Sequence, residues 1–217
     1  MIAIIDYDAG NIKSVEKALQ YLGQEVVITR EANTILHADG VILPGVGAFG
    51  DAMEKLHSYG LVEVIRQTVA AQIPFLGICL GLQLLFESSE ECPGVEGLHI
   101  LDGKILRIPA QPGLKIPHIG WNNLCFPNKG RLFKGIPENS YVYFVHSYYW
   151  QASDPAIVTA ATEYGANIHA SVERDNVFAC QFHPEKSSDV GMQILRNFID
   201  VTEAGFCGLM PYVAKDT

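Results

Sequence analysis

In the first ninety residues, short apolar runs alternate with helical stretches, and the last run ends on a cysteine set between glycines. Ile2 to Asp6 is rich in isoleucine and reads as a buried strand. Asn11 can cap a helix that carries Val15, Ala18, Leu19 and Leu22 on one face and stops at Gly23. Glu25 to Thr29 is a second strand. Val41 to Leu43 is a third, running straight into Pro44-Gly-Val-Gly47. Leu61 to Gln72 has helical periodicity, Phe75 to Ile78 is a fourth strand, and Leu80 to Glu87 reads as helix. This alternation predicts an α/β fold, a parallel sheet with helices on both faces.

The second half differs. Strand-like runs at Lys104 to Ile108, Tyr141 to Val145, Ile157 to Thr162, Ile168 to Val172 and Val177 to Phe182 are separated by turn residues. A helix returns only at Asp189 to Thr202. The expectation is a set of antiparallel strands added to the sheet, closed by one helix. There is no internal repeat and no linker, so residues 1–203 are expected to form one domain. The tail, 204–217, has mixed composition and no clear period, and poor order is expected there.

Several function classes are disfavoured. A net charge of -9 speaks against a nucleic-acid groove or an acidic membrane surface. The longest nearly apolar run, Pro74 to Phe86, is shorter than the ~20 residues that span a bilayer, and Gln83 interrupts it. The first residues show neither a basic stretch nor a small-residue cleavage site. Cys79, Cys92, Cys125, Cys180 and Cys207 are odd in number, and none has zinc-ligand spacing. A soluble cytoplasmic protein with free thiols is expected, with no metal site.

Gly77-Ile-Cys79-Leu-Gly81 has the G-x-C-x-G form of a nucleophile elbow. A tight strand-to-helix turn strains the backbone at the nucleophile, and small neighbours let the chain pass while leaving the sulfur exposed. The N–H of Leu80, at the helix start, then faces an oxyanion formed beside Cys79. That helix start also favours a thiolate. A lone cysteine is otherwise usually an inert core residue, and the other four are read so.

A thiol nucleophile needs a base, and the base needs a third group to orient it. In Gln181-Phe-His183-Pro-Glu185-Lys186, His183 and Glu185 are two apart, so an extended segment would place both on one side. Alone, His-Pro-Glu is a solvated turn; with the elbow it becomes base and orienter. His37, His57, His99 and His169 read as surface residues. Pro44-Gly-Val-Gly47 frees the backbone for close approach to a ligand, and its N–H groups are candidates for a second oxyanion donor. An ordinary glycine turn is an equal reading.

The elbow followed by Gln83, together with His183-Pro-Glu185, resembles the class I, triad-type glutamine amidotransferases. Within them, four segments resemble the glutaminase subunits of imidazole glycerol phosphate synthase: Leu43 to Asp51, Ile116-Pro-His-Ile-Gly-Trp-Asn122, Tyr143-Phe-Val-His-Ser-Tyr148 and Gln181 to Ser187. That resemblance implies a flavodoxin-like three-layer sandwich with a mostly parallel central sheet, plus antiparallel strands in the C-terminal half. It implies that Cys79 forms a γ-glutamyl thioester, that His183 shuttles the proton and that Glu185 orients it. Gly47 and Leu80 would form the oxyanion hole. Gln83, His146, Ser147 and Tyr148 would hold glutamine. Asn11, Trp121 and Lys186 would face a (β/α)8 cyclase that receives the ammonia in histidine biosynthesis. No cofactor is implied. Asp6-Tyr-Asp8 departs from the family's usual Asp-Tyr-Gly.

Two other functions compete: a catalytically silent docking or regulatory subunit, and a stand-alone cysteine hydrolase on the same scaffold. A related partner with a different ammonia acceptor is a further alternative. The aromatics of Tyr141 to Trp150 also read as plain strand packing, and Trp121 as core.

Overall fold

The computed structural model describes residues 1–204; the expectation for the tail falls, from residue 205 on, outside the described residues. The strands are β1 (Ile2–Ile5), β2 (Val26–Thr29), β3 (Gly40–Gly45), β4 (Phe75–Cys79), β5 (Ser88–Ser89), β6 (Gly103–Arg107), β7 (His118–Asn123), β8 (Tyr141–His146), β9 (Tyr148–Ala152), β10 (Val158–Glu163), β11 (Asn167–Arg174) and β12 (Val177–Cys180). The helices are α1 (Ile12–Tyr21), α2 (Ala32–Leu36), α3 (Phe49–Ser58), α4 (Leu61–Ala70), α5 (Leu80–Gln83) and α6 (Ser188–Ala204).

Among the described residues the main sheet has ten strands in the order β2-β1-β3-β4-β12-β11-β9-β6-β5, with β10 paired to β11. From β2 to β12 every pair is parallel. Beyond β12, pairing is antiparallel through β11, β9 and β6, and β5 and β6 are parallel again. β7 and β8 form a separate antiparallel ribbon. The sheet is thus mostly parallel at its centre, with antiparallel additions from the second half of the chain.

The alternation of side chains along β1 decides the layers. Ala3 and Ile5 pack with Ile35 of α2, Phe49 and Leu56 of α3, and Leu61 and Ile65 of α4. Ile2 and Ile4 point the other way, to Val15 and Leu19 of α1 and Ile194, Leu195 and Phe198 of α6. The result is a three-layer α/β sandwich.

Some local expectations need correction. The helix expected from Leu80 to Glu87 lasts a single turn, Leu80–Gln83, because the chain then loops back and hydrogen-bonds with the segment 97–101. Asn11 stands at the start of α1, but its side chain caps nothing there. Helices α2 and α3 and strands β5 and β7 lie where no element was expected. Among the described helices, none is long and apolar enough to cross a membrane.

Candidate active site

β4 ends at Cys79 with φ 56° and ψ -110°, left-handed backbone in a residue that is not glycine. Such a conformation costs of order 1–3 kcal/mol and persists only when the surroundings impose it. Here they do. A Cβ on Gly77 would sit 2.8 Å from the carbonyl oxygen of Gly81, and one on Gly81 would overlap that of Leu43. One on Gly45 would come within 2.8 Å of Leu80 Cβ. Three glycines therefore let β3, β4 and the first turn of α5 interlock, and the register Gly45↔Cys79 brings the end of β3 beside the sulfur. Because α5 is one turn long, its dipole is a weaker aid to a thiolate than the sequence suggested.

His183 follows β12 and is completely buried, as is the Glu185 side chain. The pair is not extended: Pro184–Lys186 is a turn of 3-10 helix. The turn still brings His183 Nδ1 to 2.8 Å from Glu185 Oε1. A carboxylate can only accept, so Nδ1 carries a hydrogen and Nε2 is the nitrogen left for another partner. Nε2 forms no hydrogen bond within the described protein. Burial alone would lower the pKa of His183. Cys79 and Glu185 outweigh it and raise the value to about 9. Ser187 fixes this turn to β8: its hydroxyl donates to His183 O at 2.6 Å and accepts from Tyr143 N at 3.0 Å.

Cys79 and His183 open on one cavity of about 250 Å³, below the ~300–1,000 Å³ of pockets for drug-sized ligands. A small polar molecule fits it. Val46, Gly47, Leu80, Gln83, His146, Ser147 and Tyr148 also border it, so every residue assigned above to the triad, oxyanion hole and substrate, except buried Glu185, lies on this cavity. Gly47 has φ 104°, and a Cβ there would meet nothing within 4 Å. The need for glycine at this position is conformational.

Two of these residues are less free than the sequence suggested. Gln83 Nε2 donates to Tyr148 O at 3.1 Å and to Gln181 Oε1 at 3.0 Å, which leaves its carbonyl oxygen for a ligand. His146 Nδ1 donates to Tyr148 O at 2.8 Å, and its Nε2 meets His118 Nδ1 at 3.1 Å. Burial lowers the pKa of His146 to about 3 and that of His118 to about 4.

Of the three residues assigned to a partner face, Trp121 is 52% exposed and Lys186 is exposed. Asn11 is buried behind them, and its Nδ2 donates to Glu185 Oε1 at 3.3 Å. Ile119 and Tyr141, also exposed, flank Trp121 on the β7–β8 ribbon, which argues against reading Trp121 as core. His169 is half-buried rather than a surface residue: it accepts from Ala152 N at 2.9 Å, and burial lowers its pKa.

Sequence reasoning missed Glu91. It borders the cavity and accepts from Phe49 N at 2.8 Å, at the start of α3. Nothing local marked it, since its partner lies 42 residues away. It also passed over Gln181, which is completely buried with Nε2 3.8 Å from Cys79 Sγ. Among the described residues, no group of three or more His, Cys, Asp or Glu is placed to hold a metal ion.

An elbow cysteine and a His–Glu pair on one cavity of a mostly parallel sandwich define an amide-cleaving cysteine enzyme of the amidotransferase kind. The chain belongs to the family Glutamine amidotransferase class-I, whose sequence model matches residues 3–201. Within it, the chain groups with proteins named imidazole glycerol phosphate synthase subunit HisH. That of Moorella thermoacetica is 52% identical over 208 residues, covering 95% of this chain and 98% of the relative. That of Methanothermobacter thermautotrophicus is 47% identical over 204 residues, covering 94% and 100%. The fold is shared more widely. A crystal structure of a glutamine amidotransferase matches with TM-score 0.74 at 18% identity, covering 94% of this chain and 100% of the other. The PurLQS structure from Thermotoga maritima matches at 0.69 and 19%, covering 92% and 97%.

Proposed function

We propose that this single-domain chain, residues 1–203, hydrolyses glutamine through a Cys79 thioester and passes the ammonia to a (β/α)8 cyclase in histidine biosynthesis. The observation that carries the chemistry is the shared cavity: Cys79 on its strained turn, and His183 held by Glu185 with Nε2 unengaged. With its pKa near 9, His183 carries a proton at neutral pH. That proton comes from Cys79, whose thiolate attacks the side-chain amide carbon. The oxyanion forms at the N–H groups of Leu80 and Gly47. His183 gives its proton to the amide nitrogen, the C–N bond breaks and ammonia leaves. His183 then takes a proton from water, whose oxygen attacks the thioester. Glutamate departs and the thiolate–imidazolium pair is restored.

Glu91 is the carboxylate that can face the substrate's α-ammonium, with the Gln83 carbonyl oxygen beside it. Ser147 and Tyr148 border its α-carboxylate, and His146 holds the Tyr148 carbonyl in place. The names of the relatives support a two-part enzyme, and the exposed Ile119, Trp121 and Tyr141 beside Lys186 are a suitable docking face. Ammonia is mostly ammonium in neutral water and is then no nucleophile, which is the physical reason for passing it on directly in the cytoplasm. No cofactor takes part.

The test is glutamate release from glutamine, with and without the cyclase and its ligand. Turnover that needs the cyclase and disappears in Cys79→Ala supports the reading. No turnover with the cyclase present indicates a silent docking subunit. Full turnover without it indicates a stand-alone hydrolase. Glutaminase activity with no imidazole product points to another acceptor.

A further inference from the structure

The sulfur of Cys79 has two polar neighbours besides His183: Val145 O at 4.0 Å, which can only accept, and the side chain of Gln181. Gln181 Nε2 lies 3.8 Å from the sulfur, within reach of an N–H···S bond. Which end of the Gln181 amide faces the sulfur is decided by its neighbours. Tyr148 O can only accept, so Gln83 presents its NH2 group there. The same nitrogen donates to Gln181 Oε1, which leaves Gln181 Nε2 aimed at Cys79. Tyr148 O is itself held by His146 Nδ1, and His146 Nε2 then accepts from His118 Nδ1. His118 is stacked between Phe144, at 4.7 Å between ring centroids, and Tyr164, at 3.7 Å. A chain of fixed polarity thus runs from a clamped imidazole to the sulfur.

We infer that Gln181 is a positioning residue for Cys79, locked by Gln83 so that its amide hydrogen points at the sulfur and favours the thiolate poised to attack. This rests on Cys79 being the nucleophile. A hydrogen bond to the charged form of an acid stabilises that form. The titratable groups around the sulfur are His183, Tyr7, Cys180, and on the cavity wall His146 and Glu91. Gln181 differs from all of them in having no protonation state to lose, so its donation persists when His183 gives up its proton in mid-reaction. Its complete burial keeps water from taking its place.

The test is iodoacetamide labelling of the full-length protein, following the Cys79 peptide by mass spectrometry at pH 7 and pH 10. Gln181→Met keeps the volume and removes the donor. It is expected to slow labelling of Cys79 about 3- to 10-fold at pH 7, the change that loss of one ordinary hydrogen bond makes in an equilibrium. At pH 10, where the thiolate forms unaided, the rate is expected to be unchanged. Gln181→Glu puts a negative charge at the sulfur and should slow the pH 7 reaction further. Equal slowing at both pH values, or none, overturns the inference: the first would mean altered access, the second an idle contact. If Gln181→Met does not fold, Gln83→Met frees the Gln181 amide, and the same pH split or its absence decides. Normal labelling of the unaltered protein with no effect of Gln181 sinks this inference alone. Absence of Cys79 labelling in the unaltered protein at both pH values sinks the nucleophile with it.

Discussion

The two walls of the cavity are built on opposite plans. The wall that carries the sulfur is interlocked: Gly45, Gly77 and Gly81 each lie against backbone or side chain with no room for one more carbon. The wall that carries Val46 and Gly47 is open: a Cβ on Gly47 would touch nothing, and Val46 is 38% exposed. A second cavity of about 190 Å³, bordered by Tyr7, Asp8 and Lys55, lies against this same pair of residues. Cys79 is therefore held in place by packing, whereas Gly47, the proposed second oxyanion donor, is held by little beyond its own backbone. The difference teaches where control can enter. Interlocked segments respond weakly to a remote partner. A segment with space around it can change its peptide orientation at small cost.

Predictions can break this contrast or sharpen it. Cys79→Ala removes the nucleophile and nothing from the interlock. Turnover should fall by on the order of 10⁵ or more while the melting temperature stays put; a parallel drop in melting temperature would mean that the sulfur is part of the packing. Glu185→Gln weakens the orientation of His183 and removes the charge that helps it hold a proton, and a smaller loss, on the order of 10³, is expected in kcat. Losses equal to those of Cys79→Ala would show that the turn collapses without the carboxylate.

Glycine substitutions test the two walls directly. Gly81→Ala forces a carbon onto Leu43 O and should cost about 3 kcal/mol or more in a denaturant titration. Gly47→Ala meets no atoms and faces only its φ of 104°, for a cost of about 1 kcal/mol, yet it should impair turnover out of proportion to stability. Equal costs at the two sites would abolish the contrast.

The most gradual effect is one of pH. His118 and His146 have folded pKa values, near 4 and 3, below the unfolded value of about 6.5. Their contribution to stability is present above about pH 6.5 and declines as pH falls toward 4 and 3. His183 is raised to about 9, so what it adds is complete below about pH 6.5 and is lost as pH climbs through 9. His118→Phe should flatten the acid limb in urea titrations at pH 4 to 7 and leave the alkaline limb alone.

The elbow was legible because its signal is local: a strand, a cysteine and two glycines within five residues mark the turn, although it is β3, through Leu43 and Gly45, that holds it strained. His183 and Glu185 were legible as a pair but not as a conformation, since Pro184 permits both an extended segment and the 3-10 turn that packing against Tyr143 selects. Helix α3 had a readable signal in Phe49, Ala52, Met53 and Leu56, spaced for one face, which Gly50 obscured. Strand β7, His118–Asn123, had none, as its mixture of polar residues and glycine becomes a strand only by pairing with β8.

From its sequence alone, this chain declares a parallel α/β core, a thiol on a strained turn and an imidazole–carboxylate pair to serve it. Those features depend on neighbours within a few residues and on the period of apolar side chains. Tertiary structure alone decided that Glu91 borders the cavity, that Gln181 turns its amide to the sulfur and that one wall is locked while the other is open. Each of these depends on atoms brought together from 40 to 100 positions apart, roughly, where chain entropy leaves local propensity no say and only the packed fold sets the distance.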